Sequence, residues 1–247
     1  MSLNPPITDW RGRRAWIVGA SSGIGAALAD ALHAAGAQVI ASARSADALQ
    51  AWAAAHPGAL ALPLDASDLP ALDRAAAALL AQGPLDLVVH CAGWYRPTDA
   101  DLDWAAWEQH RTINLDAGLR LAQAVLPAMR ARGLGHLSLV SSVAGYRGLP
   151  HSVAYGTTKA ALTHLGEALH LELAPQGVGV SVVAPGFVET PMTAQNRFRM
   201  PGLITPEVAA AAIVRGWARG RFLIAPPRGF TAWMGLLRCL PYSLYFP

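Results

Sequence analysis

Between residues 13 and 225, short runs of apolar residues alternate with longer stretches whose apolar positions recur every three to four residues. The runs lie at 13–19, 38–43, 59–64, 85–90, 136–142, 178–184 and 222–225, mostly bounded by Gly, Pro, Asp or Ser. Their length and flanks predict buried strands. The stretches between them, at 24–35, 46–55, 69–81, 112–132, 153–174 and 207–219, read as helices. Strands separated by helices need crossover connections, so the alternation implies a parallel sheet with helices on both faces. The expected fold class is therefore α/β and doubly wound, with seven mainly parallel strands. No linker, repeat or charge block divides the chain, so residues 1–229 are expected to form one domain, with 1–10 as its N-terminal tail. A further apolar stretch, 230–247, follows the last strand. Phe230, Trp233, Met234, Leu237 and Leu240 fall there close to helical spacing.

Composition narrows this picture without changing it. Hydrophobic residues make up 53% of the chain and charged residues 14%, as suits a tightly packed α/β protein. The net charge of +3 rests on scattered arginines with no basic run, so nucleic acid is not an expected partner. Cys91 and Cys239 show no metal spacing and the eight histidines no HExxH pattern, so no metal site is expected. That cysteine usage suits a reducing cytoplasm. The N-terminus lacks an apolar signal core and no apolar run reaches ~18 residues, so neither export nor a spanning helix is expected.

Candidate chemistry gathers around one residue. Of 19 basic residues 18 are arginine, and the single lysine is Lys159. A chain that uses arginine wherever charge suffices keeps lysine where a compact ammonium is needed. Tyr155 stands four positions earlier, on the same face of the expected 153–174 helix. A free phenol has a pKa of about 10. An ammonium about 4 Å away, at an effective dielectric near 20, favours phenolate by about 4 kcal/mol, or roughly three pKa units. The expectation is a phenol brought near neutrality, where it can exchange protons. Tyr-x3-Lys alone also arises by chance. Ser142 ends the 136–142 strand, at the sheet edge where α/β folds hold ligands.

Two further features bear on a cofactor. The first strand runs into Gly19-Ala20-Ser21-Ser22-Gly23-Ile24-Gly25, a strand-to-helix turn whose glycines allow a pyrophosphate to approach the backbone. Its GxxxGxG spacing, with no GK[ST], argues against a nucleotide-triphosphate loop. At the end of the second strand an acidic residue would mark NAD, but Ala43 and Arg44 stand there. A guanidinium can hold a 2′-phosphate, so NADP (NADPH) is favoured over NAD.

Together the glycine turn, Ser142, Tyr155 and Lys159 resemble the short-chain dehydrogenase/reductase family, over roughly residues 13–190. The resemblance implies a Rossmann-like sheet of order 3-2-1-4-5-6-7 and an NAD(P)-dependent oxidoreductase acting on CH–OH or C=O groups. By resemblance Tyr155 is the general acid/base, Ser142 binds the substrate oxygen, Lys159 lowers the tyrosine pKa and holds the nicotinamide ribose, and Asn114 anchors a relay water. Asp65 matches the carboxylate beside the adenine, and Ala92-Gly93 closes the segment after the fourth strand. Pro185, Gly186, Val188 and Thr190 match the segment that holds the nicotinamide carboxamide. The family also implies a homodimer or homotetramer paired through the 112–132 and 153–174 helices. Two positions depart from the family pattern: Val18 replaces a threonine, and His90-Cys91 replaces an Asn-Asn pair.

Ser142, Val143, Trp94, Tyr95, Leu149, Phe187 and Met192 are the expected substrate-lining residues. Their character points to an apolar ketone, aldehyde or secondary alcohol. A non-catalytic NADP-binding sensor or scaffold is the alternative, and an epimerase or dehydratase with retained cofactor a third. For the 230–247 tail three readings stand: packing on its own core or a neighbouring subunit, peripheral insertion into a membrane surface, or covering the site.

Overall fold

The computed structural model describes residues 2–246. The strands are β1 (Arg14–Val18), β2 (Gln38–Ser42), β3 (Leu60–Ala61), β4 (Leu87–His90), β5 (Gly135–Val140), β6 (Val178–Val183) and β7 (Leu223–Ile224). They form one sheet in the order β3-β2-β1-β4-β5-β6-β7, every pair parallel. The connecting helices are α1 (Gly23–Ala34), α2 (Ala46–Ala55), α3 (Leu69–Ala81), α4 (Trp104–His110), α5 (Ala117–Arg132), α6 (Val153–Leu173) and α7 (Pro206–Ala218). Two more, α8 (Arg228–Arg238) and α9 (Tyr242–Tyr245), follow β7.

Alternation along the strands builds two cores. Ile17, Val39 and Val89 face α1 and α7, where Leu28, Leu32, Ile213 and Trp217 pack. Trp16, Ile40 and Val88 face the other way, onto Leu72 of α3, Leu121 and Val125 of α5, and Leu162 of α6. Local chemistry sets the helix ends. Ser45, Asp68 and Thr205 cap α2, α3 and α7 by accepting from an N–H in the first turn. Gly133, in the left-handed region at φ 61°, ends α5.

Three features differ from the pattern-based expectation. The helix expected over 112–132 starts earlier, at Trp104, and passes through a wide π turn at Arg111–Asp116 that contains Asn114. Its continuous helical contacts carry the chain past a segment that apolar spacing left unassigned. Second, β3 is reduced to two residues, although the Leu62 and Leu64 N–H groups still donate to Ala41 and Ala43 carbonyls at 2.9 Å. Third, the polar N-terminal stretch is built into the fold. The Asn4 amide donates to the Val180 carbonyl at 2.8 Å and accepts from its N–H at 3.0 Å, while Ile7 and Trp10 are buried. Asparagine here satisfies an open place on a strand that would otherwise leave polar backbone unpaired.

Candidate active site

A cleft of about 920 Å³ runs along the carboxyl ends of the strands. The turn between β1 and α1 forms one wall. Gly19 has φ +98°, and a Cβ there would lie 2.4 Å from the Ala92 nitrogen; at Gly25 a Cβ would sit 2.0 Å from the Gly19 oxygen. Only glycine lets this turn fold on itself and against the strand beside it. Ser21, Ser22, Gly23 and Ile24 line the cleft from the same turn. The Ser22 side chain makes no capping bond to α1. The first-turn N–H groups are thus left for an anion, as a pyrophosphate requires. A Cβ at Gly23 would fall 2.7 Å from the Thr190 methyl, so this turn touches the segment after β6 across the cleft.

The other expected nucleotide contacts line the same space. Arg44 follows β2 on the surface of the cleft, and Asp65 follows β3 along the same wall. Asp65 accepts from the Ser67 N–H and hydroxyl, both at 2.8 Å. Ala92, Gly93, Trp94 and Tyr95 follow β4; Pro185, Gly186, Val188, Thr190 and Met192 follow β6. The cradle of glycine backbone, free helix amides and a surface arginine fits a dinucleotide.

Ser142, at the end of β5, faces Tyr155 and Lys159 on α6, and all three line the cleft. Lys159 is 3% exposed, and its ammonium donates to the Val140 carbonyl at 2.9 Å and lies 5.6 Å from the centre of the Tyr155 ring. Burial lowers its pKa to about 8. Burial also pushes the Tyr155 phenol up to about 12, against the opposing pull of its hydrogen bond with Ser142. The expectation of a phenol brought near neutrality by lysine is therefore not met in the protein alone. The ammonium is engaged by a carbonyl rather than by the phenol oxygen, and desolvation of the phenolate outweighs the pull of the Ser142 hydrogen bond.

Asn114 does not line the cleft; it is fully buried behind it. Its Oδ1 accepts from the Trp94 N–H at 2.7 Å, and its Nδ2 donates to the Trp94 carbonyl at 3.0 Å and to Thr158 Oγ1 at 3.3 Å. One side chain thus locks the loop after β4 to the helix that carries Tyr155. Its backbone carbonyl lies 3.3 Å from His90 Nε2. Burial holds the His90 pKa down near 3, so the ring is neutral, with Nε2–H donating and Nδ1 left without a partner. Gly118 makes room for that ring: a Cβ there would approach His90 Cδ2 to 2.9 Å. Val18 pairs in register with His90, and the Cys91 N–H donates to the Val18 carbonyl at 2.8 Å. The two departures from the family pattern are neighbours in the sheet, joined by backbone and apolar packing.

Of the expected substrate-lining residues, Trp94, Tyr95, Ser142 and Met192 reach the cleft, whereas Val143, Leu149 and Phe187 do not line it. Val143 is buried, its N–H donating to the Pro185 carbonyl at 3.1 Å. Phe187 turns toward the tail, with ring centres 5.7 Å from Phe198 and 5.4 Å from Phe230. Sequence reasoning missed several residues. The His110 ring packs edge-on to Trp94 at 4.5 Å and to Tyr155 at 6.2 Å, and its nitrogens bond the Ala106 carbonyl and the Arg96 N–H. No spacing marked it. Ser141 donates to the Lys159 carbonyl at 2.7 Å, tying β5 to α6. Thr193 donates to the Val188 carbonyl at 2.6 Å and accepts from the Thr190 N–H at 3.0 Å. The Thr-x-x-Thr spacing of 190 and 193 was the available signal for that turn.

Residues 13–200 match the family model described as short chain dehydrogenase. The chain belongs to this family. A 2-keto-3-deoxy-L-fuconate dehydrogenase of Xanthomonas campestris pv. campestris is 38% identical over 193 residues, 77% of this chain and 63% of that relative's length. This chain thus matches under two thirds of that protein. An uncharacterized oxidoreductase of Myxococcus xanthus is 37% identical over 94% of both chains. Among solved structures, a short-chain dehydrogenase from Sphingobium yanoikuyae in complex with NADPH superposes with a TM-score of 0.82 at 26% identity, over 94% of this chain and 97% of that one. As a short-chain dehydrogenase/reductase, the protein is an oxidoreductase of CH–OH and C=O groups that uses a nicotinamide cofactor.

Proposed function

We propose that the protein interconverts an apolar ketone or aldehyde and its alcohol using NADP(H). The observation that carries this reading is the convergence of Ser142, Tyr155 and Lys159 on one cleft whose other end is the glycine turn. When bound, the nicotinamide supplies or accepts the hydride at the substrate carbon. Ser142 hydrogen-bonds the substrate oxygen, and the Tyr155 hydroxyl gives that oxygen its proton in reduction or takes it back in oxidation. With its pKa raised to about 12, the phenol is protonated at neutral pH, the form that carbonyl reduction needs. Lys159 places a buried positive charge beside the ring, and Asn114 fixes the loop and helix that frame the reaction. Trp94, Tyr95 and Met192 give the substrate an apolar wall.

Arg44, Asp65, the glycine turn and the segment Pro185–Thr190 would hold the nucleotide, Arg44 conferring the NADP preference. Residues 1–229 form the catalytic unit of this reading. We place the protein in the cytoplasm as a homodimer or homotetramer; Leu119 on α5 and Leu171 on α6, 50% and 76% exposed, are apolar residues available for that pairing. Among the described residues no helix is long and apolar enough to cross a membrane.

The test is a panel of carbonyl compounds followed at the NADPH absorbance, with NADH in parallel. Tyr155→Phe should lower kcat roughly 10²–10⁴-fold while NADPH still binds. Retained turnover would sink the acid/base assignment, and no turnover of any compound by wild type would favour the non-catalytic alternative. Arg44→Ala should weaken NADPH roughly tenfold or more and leave NADH unchanged.

A further inference from the structure

Charge is divided unevenly along this chain. Residues 190–247 hold seven arginines and one carboxylate, Glu207, a formal +6; the preceding residues hold twelve basic and fifteen acidic side chains, a formal −3, which together give the net +3. Among the described residues only one of those seven arginines, Arg238, has a carboxylate within reach, Glu167 at 3.9 Å. Arg215, Arg219, Arg221 and Arg228 line a pocket of about 500 Å³ whose remaining walls are mainly apolar, among them Ile204, Val208 and Pro226. Four guanidiniums around one hollow repel one another, and an anion relieves that repulsion.

The same segment leaves several large apolar side chains uncovered. Helix α8 buries Thr231 and Met234 and packs Phe230 on Phe187, yet Trp233 and Leu236 on its outer side are 56% and 64% exposed. Beyond it Tyr242, Leu244 and Phe246 are 67%, 71% and 58% exposed. These side chains are held in place. The Arg147 guanidinium donates to the Leu240 carbonyl and lies 4.6 Å and 4.9 Å from the Tyr242 and Tyr245 ring centres, and the Tyr245 hydroxyl donates to the Gly148 carbonyl at 2.6 Å. The chain between Ser142 and α6 thus fixes an aromatic surface that its own core does not cover. Exposed aromatic and aliphatic side chains gathered in this way mark a binding face.

We propose that this face docks on a lipid bilayer carrying anionic headgroups. Trp233, Leu236 and the α9 aromatics enter the boundary between headgroups and acyl chains, where indole and phenol rings partition favourably. Arg228 and Arg238, at the two ends of α8, take phosphates beside it. Charge decides against the rival occupant, a second copy of this chain: a symmetric contact would set a +6 segment near its own image, whereas an anionic surface complements it. Each arginine near such a surface strengthens binding roughly fivefold, and salt cancels that gain. Docking does not depend on which reaction the cleft performs.

The experiment is flotation of the full chain with vesicles of phosphatidylcholine alone and of phosphatidylcholine mixed with phosphatidylglycerol. The expected result is binding to the mixed vesicles, roughly tenfold or more weaker on phosphatidylcholine alone or in high salt. The double variant Trp233→Ser, Leu236→Ser should bind the mixed vesicles at least roughly tenfold more weakly, with its circular dichroism, urea midpoint and mass by light scattering unchanged. Equal binding of the two proteins, or no binding of wild type to mixed vesicles, overturns the proposal. So does a variant that falls to a smaller oligomer, because the face would then be holding a second copy.

Discussion

Acidification should destabilise this protein before its carboxylates titrate, through two histidines buried inside the sheet layers. His90 and His136 are 0% and 2% exposed, and burial lowers the pKa of each from 6.5 to about 3. Both are neutral in the folded state at pH 7, while the unfolded chain takes up a proton on each as pH falls through 6.5. Between pH 6.5 and 3 the unfolded state binds one more proton per histidine, so stability falls with falling pH across that window. Integrated from about pH 7 to about pH 5, the loss is about 2 kcal/mol per histidine, or roughly 4 kcal/mol for the pair. Burial lowers His110 and His170 as well, which adds to the loss with the same sign. A typical domain has only about 5–15 kcal/mol in total, so the effect is large. The assay is urea unfolding at both pH values for wild type and for His90→Asn, His136→Gln. Truncation costs cancel in the difference between the two pH values. Wild type should lose about 4 kcal/mol or more, and the double variant should show that loss reduced by roughly 4 kcal/mol. A wild-type loss below about 1 kcal/mol, or an equal loss in the double variant, would refute the reasoning.

Two further substitutions probe the joint at the carboxyl end of β1. Gly25→Ala would force a Cβ to within 2.0 Å of the Gly19 carbonyl and should weaken NADPH binding at least tenfold in a fluorescence titration; an unchanged Kd would detach this turn from the nucleotide. Val18→Thr should not stabilise the protein, because position 18 is 1% exposed and the neighbouring Cys91 N–H already bonds the Val18 carbonyl; a Tm rise of several degrees would contradict this.

The sheet was legible because its strands are apolar on both faces and lie between helices, a pattern that admits little but a parallel, doubly wound arrangement. Gly19, Gly23, Gly25, Tyr155 and Lys159 were legible for a related reason. Their placement depends on local spacing: a turn that tolerates no Cβ, and two side chains one helical turn apart. His110 and Asn4 were not legible. Each acts on residues that lie close in space only after folding, His110 against Trp94 and Tyr155, Asn4 on the backbone of Val180. Phe187 was placed at the substrate because sequence shows proximity to Gly186 but not which way a ring turns.

The linear chain thus determined the alternation of strands and helices, the glycine turn, and the tyrosine and lysine one helical turn apart. Only the tertiary structure decided how deeply those groups are buried. Tyr155 and Lys159 stand four residues apart in either description, and spacing alone predicts that the ammonium acidifies the phenol. Packing removes both from water and hands the ammonium to the Val140 carbonyl, and the phenol moves the other way. Solvation depends on every element that closes over a side chain, and those elements come from distant parts of the sequence.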